Sequence, residues 1–189
     1  MNQNEKIAPK AGDLLLSEPF LQDENFVRSV VLLCEHNEEG SFGLVINKVS
    51  ILKLGELVQD LEFLENEVFV GGPVEQNTLH YIYSGEKELD RSIQIGKDLW
   101  WGGDYEQLVE KLKTGLIDPE NVRFFIGYSG WGLDQLEEEL NEKTWIVCKD
   151  EVDSQIFEYT PDELWRKLLK NMGGEFKVIA NYPLDPRLN

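Results

Sequence analysis

The feature that most restricts how this chain can fold is the apolar run Val30-Val31-Leu32-Leu33-Cys34, set between Arg28-Ser29 and Glu35-His36. Side chains of a strand alternate between its two faces, so a run without polar alternation reads as a strand covered on both sides. Asn37-Glu38-Glu39-Gly40 then supplies turn residues, and Phe42 to Asn47 resumes a strand-like pattern. Together these predict a hairpin through the core.

Further strands are expected at Glu67 to Val70, Leu79 to Tyr83, Arg91 to Ile95, Val122 to Tyr128 and Thr144 to Cys148. The last part of the fourth runs into Gly127-Tyr128-Ser129-Gly130-Trp131-Gly132 and then Leu133-Asp134-Gln135-Leu136-Glu137-Glu138-Glu139-Leu140, which reads as strand, glycine turn and capped acidic helix. Thr160-Pro161-Asp162-Glu163 combines a capping residue, a proline suited to the first helical position and a glutamate able to bond back. Leu164, Trp165, Leu168, Leu169 and Met172 then form one apolar stripe up to Gly173. A second helix is expected from Asp104 to Gly115, with Leu108 and Leu112 on one face. A third follows Asp134 and a fourth spans Leu54 to Leu61. The order of elements lacks a regular βαβ repeat, so the expected fold is α/β of the mixed (α+β) kind, a sheet with peripheral helices. One domain is expected over residues 12–189, preceded by an unordered terminus over 1–11.

Charge restricts the partners. Among 189 residues, 18 are Lys or Arg and 36 are Asp or Glu, a net charge of −18 that repels phosphate backbones and anionic membrane surfaces. Neither a helix-turn-helix with a basic face nor an arginine-rich arm is visible, so direct nucleic-acid binding is disfavoured. The first ten residues lack the apolar core of a signal peptide, and no run approaches the ~18 apolar residues of a membrane span. The two cysteines, Cys34 and Cys148, stand in apolar surroundings that suit buried free thiols of a reducing compartment. A soluble, cytoplasmic protein is the expectation.

Several blocks carry a family resemblance: Gly12-Asp13-Leu14-Leu15-Leu16 with Pro19 and Phe26; Arg28 to His36; Gly40-Ser41-Phe42-Gly43-Leu44-Val45-Ile46-Asn47-Lys48; Gly71-Gly72-Pro73-Val74; Leu79-His80; and Gly127 to Gly132 with Gln135-Leu136-Glu137-Glu138-Glu139. In these the chain resembles the AlgH/YqgE family of uncharacterised bacterial proteins, from Gly12 to about Gly173. The resemblance implies one α/β domain whose bent sheet forms an irregular barrel, and some members carry the label of transcriptional regulator. It brings no activity, cofactor or catalytic residue. Where the family usually has Pro-Gly before Gln-Leu-Glu, this chain has Leu133-Asp134, and Asp134 is expected to cap the helix.

Four constellations could carry chemistry. Gly127-Tyr128-Ser129-Gly130-Trp131 approximates the G-x-S-x-G elbow of hydrolases, but Trp131 stands where that turn needs a small residue, and His36 and His80 both lie upstream of the serine. Cys34, His36, His80 and Cys148 are the stock of soft metal ligands, at spacings that match no known zinc pattern, so no metal or cofactor is expected. Gly71-Gly72-Pro73-Val74 follows an apolar strand and suits a bend, since no Lys-Ser/Thr follows to hold a phosphate. Through the shared family blocks, Asn47, Gly71, Gly72, His80, Ser129 and Trp131 are the candidates to line one binding cleft. The acidic run Glu137-Glu138-Glu139 with Glu142 reads as a solvated face that compensates the helix dipole and could dock a basic protein partner. The resulting expectation is a binding or regulatory protein that acts through a small-molecule ligand or a protein partner. The alternative is an enzyme of unassigned chemistry, such as a hydrolase, using Asn47, His80 and Ser129.

Overall fold

The computed structural model describes residues 8–149 and 157–183. Of the terminus expected to be unordered, residues 1–7 lie outside the described residues. The next three are held: Pro9 is buried, Lys149 Nζ donates to Ala8 O, and Lys10 N donates to Asp13 Oδ2.

The described residues form ten strands: β1 (Leu14–Ser17), β2 (Val30–Asn37), β3 (Gly40–Val45), β4 (Val49–Lys53), β5 (Glu67–Val70), β6 (Val74–Ser84), β7 (Ile93–Gln94), β8 (Leu99–Trp101), β9 (Val122–Trp131) and β10 (Trp145–Cys148). Their order is β10-β1-β2-β3-β9-β6-β8-β7, with β5 also pairing β9 and β4 pairing β5. All pairs are antiparallel except β5 with β9. The mixed sheet with peripheral helices is thus the observed fold, and the sheet branches without closing on itself. The branch lies within β9, whose first half (Phe124 to Ile126) sits between β5 and β6 while its second half (Ser129 to Trp131) lies beside β3.

The β2 run behaves as its composition requires. Val30, Leu32 and Cys34 enter one core and Val31 and Leu33 another, and none is more than 1% exposed. Each fully buried Val or Leu contributes roughly 1.5–3 kcal/mol relative to exposure, so this strand alone demands two covering layers. Helix α4 (Pro161–Met172) supplies one, packing Leu164, Trp165, Leu168 and Leu169 on the Val30 face. Helix α3 (Gln135–Asn141) covers the other face with Leu136, beside Trp131 and Trp145. Over the second half of the sheet, α2 (Tyr105–Thr114) sets Leu108, Val109 and Leu112 against Val68, Tyr81, Tyr83 and Phe124. Two single-turn helices, α1 (Leu54–Leu57) and α5 (Phe176–Ile179), complete the set.

Several expectations are corrected. The glycine turn at 127–132 is strand: β9 runs to Trp131, and the chain reverses only at Gly132 to Asp134. Asp134 does not cap α3; its φ is +60°, its carboxylate makes no capping bond, and Gln135 Oε1 accepts from Gly132 N instead. The helix expected over 54–61 breaks at Val58, whose extended backbone separates α1 from a 3₁₀ turn at Gln59–Leu61. The strand expected over 91–95 shrinks to Ile93–Gln94, because Arg91 is left-handed and the Ser92 hydroxyl turns back to donate to Leu89 O. Thr160 begins α4 by bonding the Glu163 side chain rather than the backbone. The start of α2 is as expected, with Asp104 accepting from Gln107 N and Gly115 left-handed at the end.

Candidate functional site

Asn47, Gly71, Gly72, Ser129 and Trp131 lie at structural joints. Asn47 Oδ1 accepts from Val30 N at 2.8 Å and its Nδ2 donates to Arg28 O at 2.9 Å, completing hydrogen bonds between the chain after β3 and the start of β2. Gly71 N donates to Ile126 O and Gly71 O accepts from Val45 N, which joins β9 to β3. A Cβ on Gly71 would collide with Gly127 O, and one on Gly72 with the Tyr128 carbonyl. Ser129 is fully buried, and its hydroxyl donates to Gly71 O at 3.1 Å. With no turn around it and no histidine bonded to it, Ser129 lacks the exposed strand-to-helix corner of a nucleophile elbow. Trp131 is buried on the α3 side, where its Nε1 donates to Glu139. Gly71, Gly72 and Ser129 therefore meet, whereas Asn47 and Trp131 belong to other neighbourhoods.

His80, at mid-strand in β6, is placed differently. It lines an open groove of about 600 Å³ together with Leu79, Tyr81, Trp101, Gly102 and Tyr105 and, from the α1–3₁₀ segment, Val58 and Asp60. The groove exists because β8 ends at Trp101 and the chain leaves the sheet through two left-handed glycines, Gly102 (φ +64°) and Gly103 (φ +121°), before α2 begins. Behind it, Phe42 stacks on Trp101 (4.8 Å between centroids) and on Tyr128 (4.7 Å) and meets the His80 ring edge-on at 5.2 Å. A second groove of about 460 Å³ shares Asp60 and Tyr105 and continues along α2 past Glu106, Val109, Glu110 and Lys113.

The proton on His80 follows from its neighbours. Thr78 Oγ1 donates its one proton to Glu75 O at 2.8 Å, because a carbonyl can only accept. His80 Nε2, 3.0 Å from the same oxygen, must then donate to it. The lone pair of Nδ1 is left as an acceptor, and burial holds the imidazole below its usual pKa, in the neutral form. Tyr81 donates its hydroxyl proton to Gly103 O, and burial raises its pKa. The Tyr105 hydroxyl is buried with no hydrogen-bond partner among the described residues, and burial together with the Asp60 charge raises its pKa. The site therefore gathers aromatic faces, hydrogen-bond acceptors and a carboxylate. The signal for it in the sequence was Trp100-Trp101-Gly102-Gly103, aromatics next to paired glycines, of which only the following Asp104 entered the sequence reading.

A further array was also missed. His36 Nδ1 lies 2.7 Å from Ser41 Oγ across the β2–β3 hairpin, and its Nε2 lies 3.5 Å from Glu137 Oε1 at the start of α3. The acidic face of α3 is thus partly engaged rather than wholly solvated, since Glu139 also takes two indole donors. Both cysteines are buried and unbridged, and burial raises the Cys34 thiol pKa well above its ordinary value. Among the described residues no three or more His, Cys, Asp or Glu converge as metal ligands, and no helix is long and apolar enough to cross a membrane.

Comparison with known proteins places this architecture. A family model described as AlgH-like matches residues 14–177. The chain belongs to the AlgH-like family. This AlgH-like protein is 45% identical to a UPF0301 protein of Cytophaga hutchinsonii over 179 residues, covering 94% of this chain and 98% of the relative. It is 40% identical over 189 residues to a UPF0301 protein of Chlorobium limicola, covering both chains fully. The AlgH protein of Pseudomonas aeruginosa, known from a solution structure, superposes with a TM-score of 0.71 at 26% identity, covering 97% of this chain and 98% of that one. Protein DIP2367 of Corynebacterium diphtheriae shares the fold, with a TM-score of 0.75 at 19% identity and coverage of 96% and 95%.

Proposed function

We propose that this AlgH-like protein is a cytoplasmic ligand-binding protein whose site is the groove between His80, Trp101 and Tyr105. Any regulatory role would then run through occupancy of that groove or through a protein partner, not through contact with DNA. The observation that carries this reading is that one open groove holds His80, whose Nε2 is engaged with Thr78, beside Trp101, both rings backed by Phe42. Binding sites are commonly concave and mostly apolar with a few convergent polar groups, which is this composition. The net charge of −18 argues against DNA contact, and two buried cysteines outside any disulfide suit a reducing compartment. Of the six cleft candidates His80 lines the groove; Asn47, Gly71, Gly72 and Ser129 have their polar groups or their space taken by the backbone, and the Trp131 indole is taken by the Glu139 carboxylate. An enzyme using Asn47, His80 and Ser129 draws less support, because the Ser129 hydroxyl is buried and bonded to Gly71 O.

The test is amide chemical-shift mapping of the whole chain against cationic, neutral and anionic small molecules. Saturable shifts centred on His80, Gly102 and Tyr105 are expected. Shifts confined to other regions, or none with any compound, would overturn the reading. Retention on duplex DNA at physiological salt would overturn the exclusion of DNA.

A further inference from the structure

The two grooves share Asp60 and Tyr105 in their linings, so they adjoin there as two arms of a trough. Its first arm is walled by Trp101, Tyr105 and His80, with Val58 and Leu79 as apolar lining. Its second arm runs along α2 between Glu106 and Glu110, with Val109 between them. The ionised groups lining the trough are three carboxylates, from Asp60, Glu106 and Glu110, against one ammonium, Lys113. That ammonium lies over the Phe63 ring, 6.0 Å from its centroid.

The neutral groups add acceptors. His80, its Nε2 engaged with Thr78, keeps a lone pair on Nδ1, and Tyr105, in the lining of both arms, has a hydroxyl with no hydrogen-bond partner among the described residues. An anion would meet an excess of like charge in both arms, Lys113 notwithstanding, and from the chain as a whole. A compact neutral ring could fill the first arm but would leave the carboxylates of the second without a counter-charge. An extended cation with apolar links satisfies both arms: ammonium groups meet carboxylates and aromatic faces, and methylenes lie on the valines and leucine.

We propose that the trough binds a linear aliphatic polyamine, one ammonium on the aromatic arm at Trp101 and His80 and another on the Glu106–Glu110 arm, with Asp60 between. This rests on the ligand-binding reading above and names the chemistry of its ligand.

The experiment is isothermal titration calorimetry of the full chain with spermidine at about 0.15 M salt, where long-range surface attraction is largely screened. Saturable one-to-one binding is expected. Asp60→Asn should weaken it by at least ~10-fold, equivalent to ~1.4 kcal/mol, and Glu110→Gln and Tyr105→Phe by several-fold. Glu138→Gln, an equal change of net charge on the exposed side of α3, should leave affinity unchanged. Thermal unfolding of each variant separates lost binding from lost folding. No heat of binding, equal weakening by Asp60→Asn and Glu138→Gln, or a clear preference for a lysine tripeptide over spermidine would each overturn the proposal. If neutral or anionic compounds shift the His80 and Gly102 amides and spermidine does not, the polyamine assignment falls and the groove stands. If no compound shifts them, both fall.

Discussion

Trp131 and Trp145 meet edge to face with ring centroids 5.8 Å apart, and both indole N–H groups donate to the same oxygen, Glu139 Oε2, at 2.9 and 2.7 Å. One carboxylate thereby ties α3 to β9 and β10, strands at opposite sides of the β1–β2–β3 set. Hydrogen bonds to a charged acceptor contribute about 1.5–3 kcal/mol each, and losing the acceptor leaves two indoles unsatisfied beneath the helix. Glu139→Ala should lower stability by roughly 2–4 kcal/mol and Glu139→Gln by less, since an amide oxygen can still accept. Urea unfolding measures this, and an unchanged midpoint for Glu139→Ala would show the arrangement to be incidental.

Asp134 gives a prediction of the opposite sign. It precedes α3 at φ +60° with no capping bond, a conformation that glycine adopts without steric cost. Asp134→Gly should stabilise the fold by up to ~1 kcal/mol. A fall in the thermal midpoint would mean that the aspartate contributes through its charge at the start of the helix.

The close approach of the β5–β6 link to β9 at Gly72 leaves no room for a methyl group. Gly72→Ala should cost more than ~3 kcal/mol and sharply reduce soluble yield, since backbone rather than a pliable side chain must move. Ser129→Ala should cost only ~1 kcal/mol, the net value of one hydrogen bond. A serine-directed fluorophosphonate should fail to label the folded protein, and stoichiometric labelling of Ser129 would reopen the hydrolase reading.

Two tyrosines beside the groove separate structure from binding. Tyr81 donates to Gly103 O at 2.9 Å, so Tyr81→Phe should destabilise by ~1 kcal/mol. The Tyr105 hydroxyl has no hydrogen-bond partner among the described residues, so Tyr105→Phe should leave stability unchanged or raise it by up to ~1 kcal/mol without ligand. Equal destabilisation by both would indicate that Tyr105 has a bonded water.

His80 links the groove to pH. Burial lowers its folded pKa below 6.5, so the unfolded chain binds the proton more readily. Its contribution to stability is complete above pH 6.5 and is lost as pH falls toward the folded pKa. NMR titration of the ring should give a midpoint below 6.5, and a higher midpoint would mean that a carboxylate dominates over burial.

Much of the scaffold could be read from local patterns. The unalternated β2 run demanded two covering layers, the α4 stripe announced the helix that supplies one of them, and the α2 stripe announced the helix over the second half of the sheet, because burial acts on every side chain and leaves a periodic trace. The site was less legible. The blocks shared with the family drew attention to Asn47, Gly71, Gly72, Ser129 and Trp131, yet these carry tight backbone approaches and joints between strands. Glu139 looked like one solvated acid among several because its two tryptophan partners come from separate strands.

Left to itself, the sequence determined what depends on composition and neighbours along the chain: the −18 charge that disfavours nucleic acid, the layered α+β plan, buried thiols, and most helix limits. Tertiary structure alone decided where the groove lies. Its walls come from residues 58–60, 79–81 and 101–105, brought together because β6 pairs with β8 and the chain then leaves the sheet through Gly102 and Gly103. The charge state of His80 was decided there as well, since its desolvation and the commitment of the Thr78 proton are properties of packed neighbours.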